Sequence, residues 1–424
     1  MENMTQQNLH ATDSSVLRQA MMGGQMLFVA FGALVLVPIL TGLDANVAFF
    51  TAGVGTLIFQ LVTRRQVPIF LASSFAFIAP ITYGVSTWGI ASTMGGLVAA
   101  GLLYVTLSLL VRVRGSGVLY RLFPPVVVGP VIMVIGLGLA GAAVDMVNGT
   151  ANKSIDPDTS LLIAGISLLA TLVTAVFAKG LLKLIPILVG VTTGYLVSMA
   201  FGVVDFGSFH KAAWLAMPNF TTPEFNMNAI LFMIPVAIAP AIEHIGDMLA
   251  ISSVTGKDYL KKPGLQNTLL GDGLATSFAS FLGGPPNTTY SEVTGAVMLT
   301  KAYNPVIMTW AAGIAICVAF IGKVGGFLGT IPTPVMGGIM VLLFGSIAVV
   351  GLNTMIKAQV DLAKPRNLVI VGMVLVLGLG GLSIELYEGL ALEGVSLCAI
   401  LAVILNLVLP HDEGEDQYTG REVK

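Results

Sequence analysis

Charge is what this sequence has least of. Asp, Glu, Lys and Arg make up 10% of its 424 residues, against about 25% in soluble proteins. A soluble fold has too little interior to hide the 55% of residues that are apolar, so much of the surface must face an apolar solvent. The two cysteines, Cys317 and Cys398, lie in apolar runs and form neither a metal motif nor a disulfide framework. Twenty basic and 22 acidic residues leave a net charge of −2, which gives no electrostatic footprint for nucleic acid. HExxH and Gly-x-Ser-x-Gly patterns are absent, which argues against an intramembrane enzyme.

What is present is glycine (49 residues), proline (20) and a succession of apolar runs. Both residue types are commoner in membrane helices than in soluble ones, above all where helices are broken. Fourteen runs fall at about 20–41, 46–63, 68–83, 92–111, 124–146, 159–178, 184–204, 227–250, 264–282, 286–300, 304–322, 330–353, 367–383 and 389–410. The third and tenth are shorter than the roughly 20 residues a straight span needs. Residues 1–18 read as a cytoplasmic N-terminal tail without the charged region and cleavage site of a secretory signal. Residues 411–424 read as a charged, disordered cytoplasmic tail. With the N-terminus inside and sides alternating, only Lys153, Lys211 and Lys323 of the twenty Lys and Arg fall outside. This asymmetry fits the positive-inside rule and places both termini in the cytoplasm of a multi-pass cell (inner or plasma) membrane protein.

The two halves resemble each other. FPPVVVGPVIMVI (123–135) aligns with IPTPVMGGIMVLL (331–343), matching Pro124 with Pro332 and Gly129 with Gly337; Gly53 and Gly55 echo Gly271 and Gly273. Seven spans per half is an odd number, so the second half enters from the opposite side as an inverted repeat. The two short runs, PIFLASSFAFIAP from Pro68 and PPNTTYSEVTGAVMLT from Pro285, occupy corresponding places. Extended backbone at mid-membrane survives only if it pairs with itself or lines a polar cavity. These runs are therefore read as two short strands, each leading into a half-helix. The expected fold is an all-α polytopic membrane protein of 14 segments in two inverted sets of seven, with two short antiparallel strands in segments 3 and 10.

Five ionisable residues lie well inside the runs, namely Glu243, His244, Asp247, Asp272 and Glu292, and no Lys or Arg does. Glu243 and Asp247 share a helix face at i, i+4, while His244 points about 100° away. One reading is a structural hydrogen-bond network between packed helices, and it suits His244 and Asp272 best. The other is a substrate and proton site. Carboxylates without cationic partners in a low dielectric can take up protons near neutral pH, and they accept hydrogen bonds from N–H donors. The expected ligand is small, polar, uncharged and rich in N–H. An anion would want Lys, Arg or an unopposed helix N-terminus, which leaves an anion carrier as the remote alternative. The pattern Asn287-Thr288-Thr289 matches a glycosylation site but lies in a span, where it cannot be modified.

The segments VAFGALVLVP (29–38), LASSFAFIAP (71–80), AIEHIGDMLA (241–250), PPNTTYSEVTGAVMLTK (285–301) and IPTPVMGGIMVLLFG (331–345) resemble the nucleobase–ascorbate transporter family, and most of all its bacterial uracil permeases. The resemblance implies a core domain of segments 1–4 and 8–11 (19–115 and 227–323). It implies a gate domain of segments 5–7 and 12–14 (116–226 and 324–410), with substrate between the two. The implied activity is proton-coupled nucleobase import by alternating access, with uracil first and xanthine, uric acid or another purine as the alternative. No cofactor or metal is implied, only the proton as coupling ion, and the family suggests a homodimer through the gate domain.

Carried over by position, Glu243 matches the glutamate that accepts nucleobase N–H bonds, and Glu292 the second glutamate, tied to binding and proton coupling. Phe75 and Ser291 match strand positions whose backbone meets the base. Ala33, Tyr290 and Phe344 match the walls around the ring. Proton coupling falls to Glu292, Asp247 and Glu243. The chain departs from the uracil carriers at several places: Asp247 replaces a His, Ser291 a Gly, Phe344 a Tyr and Val293 an Asn, and Gln25-Met26 stands for a Gln-His pair.

Overall fold

The computed structural model describes residues 16–151, 154–387 and 390–410. The tail read at 411–424, all but the end of the tail read at 1–18, and Lys153 lie outside the described residues.

The first half opens with helices α1 (Val16–Thr41) and α2 (Ala45–Val62). Asp44 caps α2 by accepting from the amides of Asn46 and Val47 at 2.7 and 3.1 Å. An extended stretch leads to strand β1 (Leu71–Ser73), a single 3₁₀ turn (Phe75–Phe77) and the long α3 (Ile78–Arg114). Within α3, Gly89 has φ +80° and ψ 170°, a conformation essentially restricted to glycine. It breaks the helix where the third apolar run gives way to the fourth. There follow α4 (Gly117–Leu122), α5 (Pro125–Gly138), α6 (Ala140–Val147), α7 (Pro157–Phe177), α8 (Pro186–Ala200) and α9 (Gly207–Lys211).

The second half runs through α10 (Met227–Val236), α11 (Ile238–Thr255), α12 (Leu265–Phe281), strand β2 (Asn287–Thr289), α13 (Ser291–Thr300), α14 (Val306–Ala319), α15 (Gly322–Leu328), α16 (Thr333–Lys357) and α17 (Pro365–Leu379). A hairpin of β3 (Ser383–Tyr387) and β4 (Leu390–Glu393) precedes α18 (Gly394–Val408). This hairpin corrects the sequence reading, which expected strands only in the third and tenth runs. Ser-Ile-Glu-Leu-Tyr alternates polar and apolar with a period of two, the strand signature, but all of it except Ser383 falls in the gap between the last two apolar runs.

Among the described residues, seven helical stretches are long and apolar enough to cross a membrane, and four shorter apolar helices accompany them. The protein is thus a mostly helical, polytopic membrane fold. Its lipid-facing character is plainest on α7, where Leu161, Leu169, Val173 and Val176 are exposed.

The internal repeat has local counterparts in the structure. Pro124 and Pro332 are both N-caps in extended conformation, at ψ 160° and 144°, directly before α5 and α16. Pro suits the start of a helix because the N–H it lacks would have no partner there. Helices α5 and α16 pack together with α6, α7, α8, α17 and α18, while α1, α2, α3, α12, α13 and α14 form a second packed group.

Candidate functional site

The site is built around two strands of three residues each. β1 and β2 pair antiparallel, with Leu71 opposite Thr289, Ala72 opposite Thr288 and Ser73 opposite Asn287. The Ser74 amide extends the ladder by donating to the Pro286 carbonyl at 2.9 Å. Backbone this deep in an apolar molecule needs partners, and side chains supply those the short ladder leaves out. Thr56 of α2 accepts from the Leu71 amide at 3.0 Å. Thr276 of α12 donates to the Asn287 carbonyl at 2.5 Å. The Asn287 side chain donates to the Thr51 carbonyl of α2 at 2.8 Å. The expected strand pair is therefore present, each strand leading directly into a helix.

Helix starts thus abut the crossing from both sides, at Phe75 and at Ser291. The rings of Phe75 and Tyr290 lie 6.1 Å apart, inclined at 50°. Ala33 of α1, Tyr290 and Phe344 of α16 are buried in one apolar cluster, against which Phe75 packs. Glu292 occupies the first turn of α13; Ser291 and Glu292 are exposed, and Glu243 of α11 is partly exposed. The residues expected to meet the ligand therefore come from α1, α11, α16 and the two strand-to-helix junctions.

Asp247, one turn beyond Glu243, is 4% exposed and is already engaged by the protein. Ser291 donates its hydroxyl to Asp247 Oδ1, and Thr289 donates to Oδ2 at 2.7 Å. Two hydroxyl donors suit a carboxylate acting as acceptor. The sequence reading considered only the Ser291 backbone; its hydroxyl is what positions Asp247.

His244 faces away from the exposed carboxylates. Its Nδ1 lies 3.2 Å from Thr289 Oγ1 and 3.3 Å from Oδ2 of Asp272, with the His244 and Asp272 side chains fully buried. These two residues join neighbouring helices, α11 and α12. The residue that links them to Asp247 is Thr289, which sequence reasoning passed over as part of a glycosylation pattern. The available signal was a pair of hydroxyl residues between two prolines and a glutamate inside an interrupted span.

The electrostatics are one-sided. Helices α11, α12 and α13 carry Glu243, Asp247, Asp272 and Glu292 and contain no Lys or Arg. A separate cavity of about 510 Å³, lined by Asp44, Asn46, Asn219 and Gly325 among others, contains none of the expected site residues.

Residues 17–385 match the permease family of nucleobase–ascorbate transporters. The chain belongs to that family. It is 61% identical to the "Probable uracil permease" of Haemophilus influenzae over 96% of this chain and 97% of that one. It is 45% identical to the uracil permease of Bacillus caldolyticus, over 91% of this chain and 90% of that one. Among solved structures, the transmembrane domain of a cyanobacterium bicarbonate transporter, BicA, superposes with a TM-score of 0.66 at 16% identity, covering 92% of this chain and 97% of that one. That likeness concerns the fold alone. As a member of a permease family, the protein is a multi-pass membrane transporter and not an enzyme.

Proposed function

We propose that the protein imports a nucleobase, uracil first, together with protons. The observation that carries this reading is the antiparallel strand crossing with Glu243, Asp247 and Glu292 beside it and no basic residue on their helices. Uracil offers two N–H donors and two carbonyl acceptors. Glu243 and Glu292 take the donors; backbone amides at Phe75 and Ser291, where helices begin, serve the carbonyls. Ala33, Tyr290 and Phe344 wall the ring. The relatives named as uracil permeases, matched over nearly their whole length, support the same cargo.

A purine could offer a further N–H to Asp247, which stands where uracil carriers have His. Both oxygens of Asp247 already receive hydroxyls from Ser291 and Thr289, which favours uracil. An anion cargo would meet the carboxylates of Glu243, Asp247 and Glu292, with no Lys or Arg on their helices.

The packing into two helix groups supports the transport reading. The fourteen apolar runs are membrane segments in two inverted sevens, with both termini cytoplasmic in the cell membrane. The group containing α1, α2, α3, α12, α13 and α14, together with α10 and α11, is the core (19–115 and 227–323). The group around α5 and α16 is the gate (116–226 and 324–410), and it is the surface for a homodimer. The core moves against the gate to expose the site alternately to each side, and protonation of Glu292, Asp247 or Glu243 accompanies loading.

Labelled-uracil uptake into vesicles with and without a pH gradient tests this. Uptake is expected to rise with acid outside and to lose that dependence in Glu292→Gln. Uptake indifferent to the gradient, with Glu292→Gln behaving as wild type, rejects the coupling.

A further inference from the structure

Behind the site, four side chains form a continuous polar chain into the core. Asp247 accepts from Thr289 at 2.7 Å, Thr289 Oγ1 lies 3.2 Å from His244 Nδ1, and that nitrogen lies 3.3 Å from Asp272 Oδ2. The inner end is fully buried, yet it is not saturated. His244 Nε2 has no hydrogen-bond partner among the described residues, and Asp272, 3.3 Å from His244 Nδ1 and met by the Thr289 amide, keeps acceptor capacity that two donors do not fill. Tyr104 of α3, packed against Gly273 next to Asp272, also keeps a buried, unpartnered hydroxyl. A purely structural network would satisfy such groups. One that must hold a proton in one state and release it in another needs spare acceptors.

Building on the nucleobase–proton reading, we infer that Thr289, His244 and Asp272 form a proton relay that carries the coupling proton from Asp247, at the substrate side, to a buried store on Asp272. Asp247 first takes a proton at Oδ2. It passes this proton to Thr289 Oγ1 while the hydroxyl's own hydrogen moves to Nδ1 of a neutral His244 protonated at Nε2. The imidazolium then releases its Nδ1 proton to Asp272 Oδ2. His244 ends neutral, Thr289 regains its hydroxyl, and one proton has moved from Asp247 to Asp272. The other titratable groups around the chain are Glu243 and Glu292 on the side of the exposed carboxylates and the phenols of Tyr104 and Tyr290. Stored on Asp272, the proton leaves Asp247 free to act again as acceptor for Ser291 and Thr289.

The test compares wild type, Asp272→Asn, Thr289→Val and Thr289→Ser in proteoliposomes. Three quantities are read: uracil binding by thermal shift, uracil counterflow at equal pH, and accumulation driven by a pH gradient. Counterflow needs no net proton movement, so it isolates carrier motion from coupling. Asp272→Asn and Thr289→Val are expected to keep binding and counterflow within about three-fold and to lose accumulation by ten-fold or more, with Thr289→Ser restoring it. Accumulation retained in both variants overturns the relay. So does a parallel loss of binding, counterflow and accumulation, because that is the mark of a structural role. A wild-type protein that neither binds nor exchanges uracil overturns the parent reading, and the relay with it.

Discussion

Asn287 donates its side-chain N–H to the backbone carbonyl of Thr51 at 2.8 Å, tying the second crossing strand to a helix of the first half. The fit is close: a Cβ on Gly55 would come within 2.6 Å of the same nitrogen. The strand crossing is therefore held to the backbone of the opposite repeat by one of its own side chains as well as by its ladder.

This bond gives the first prediction. Asn287→Ala removes it and is expected to cost about 1–2 kcal/mol. Asn287→Asp keeps the shape but sets one acceptor against another, so it should be at least as damaging. Thermal unfolding in detergent checks both. An Asn287→Asp protein as stable as wild type would mean that the strand pair needs no such tether.

Glu243 and Glu292 give the second prediction. A hydrogen bond to a charged group contributes about 1.5–3 kcal/mol, and every 1.4 kcal/mol is about ten-fold in affinity. Glu243→Gln is therefore expected to weaken uracil binding by about 10- to 100-fold in calorimetry, with the protein still folded because the side chain is partly exposed. A Glu243→Gln protein with unaltered affinity would remove this residue from the site.

Much of this site was legible in the sequence because the bilayer makes polar residues conspicuous. Glu243, Asp247 and Glu292 stood out from apolar runs by their charge alone, and the strand pair followed from two short, proline-flanked segments. What could not be read was the partner of each group. Threonine is common in membrane helices, so nothing in the composition marks Thr289 as the link between Asp247 and His244, or Thr56 and Thr276 as clamps on the strands. The β3–β4 hairpin was hidden for another reason: β3 lies in the short gap between the last two apolar runs, where a loop is the simplest reading, and β4 continues the hydropathy of the last run.

Glycine packing supplies a third prediction. Helices α3 and α12 touch at Gly101 and Gly273, where a Cβ on Gly101 would lie 2.3 Å from Ser277 Oγ and 2.6 Å from its amide nitrogen. Gly101→Ala must push the helices apart and is expected to destabilise by about 1–3 kcal/mol. Gly24→Ala is the contrast, because its Cβ would meet nothing nearer than Ile314 Cδ1 at 3.7 Å. It is expected to be neutral or stabilising by up to about 1 kcal/mol. Melting midpoints of the two variants, measured side by side, should fall on opposite sides of wild type or nearly so.

The last prediction concerns Lys323, on the connection between α14 and α16. Its ammonium donates to the Phe209 carbonyl at 2.7 Å and stands 4.6 Å over the Phe209 ring and 5.9 Å from that of Trp214. Phe209 and Trp214 belong to the connection between α8 and α10. The two connections are bonded further through Gly322 N to Trp214 O at 3.1 Å and Ala216 N to Phe320 O at 3.0 Å. Each joins one packed group of helices to the other, so in the proposed cycle both must bend when core moves against gate, and Lys323 makes them bend as one. Lys323→Met keeps the apolar stem but removes the donor and the charge, at a cost of about 1–3 kcal/mol. Uracil affinity should stay unchanged, because the contacts of Lys323 are with Phe209 and Trp214, while the maximal uptake rate should fall several-fold. Lys323→Arg, which can still donate and stack, should recover most of that rate. A change in affinity without a change in rate would show that these connections shape the site rather than the motion.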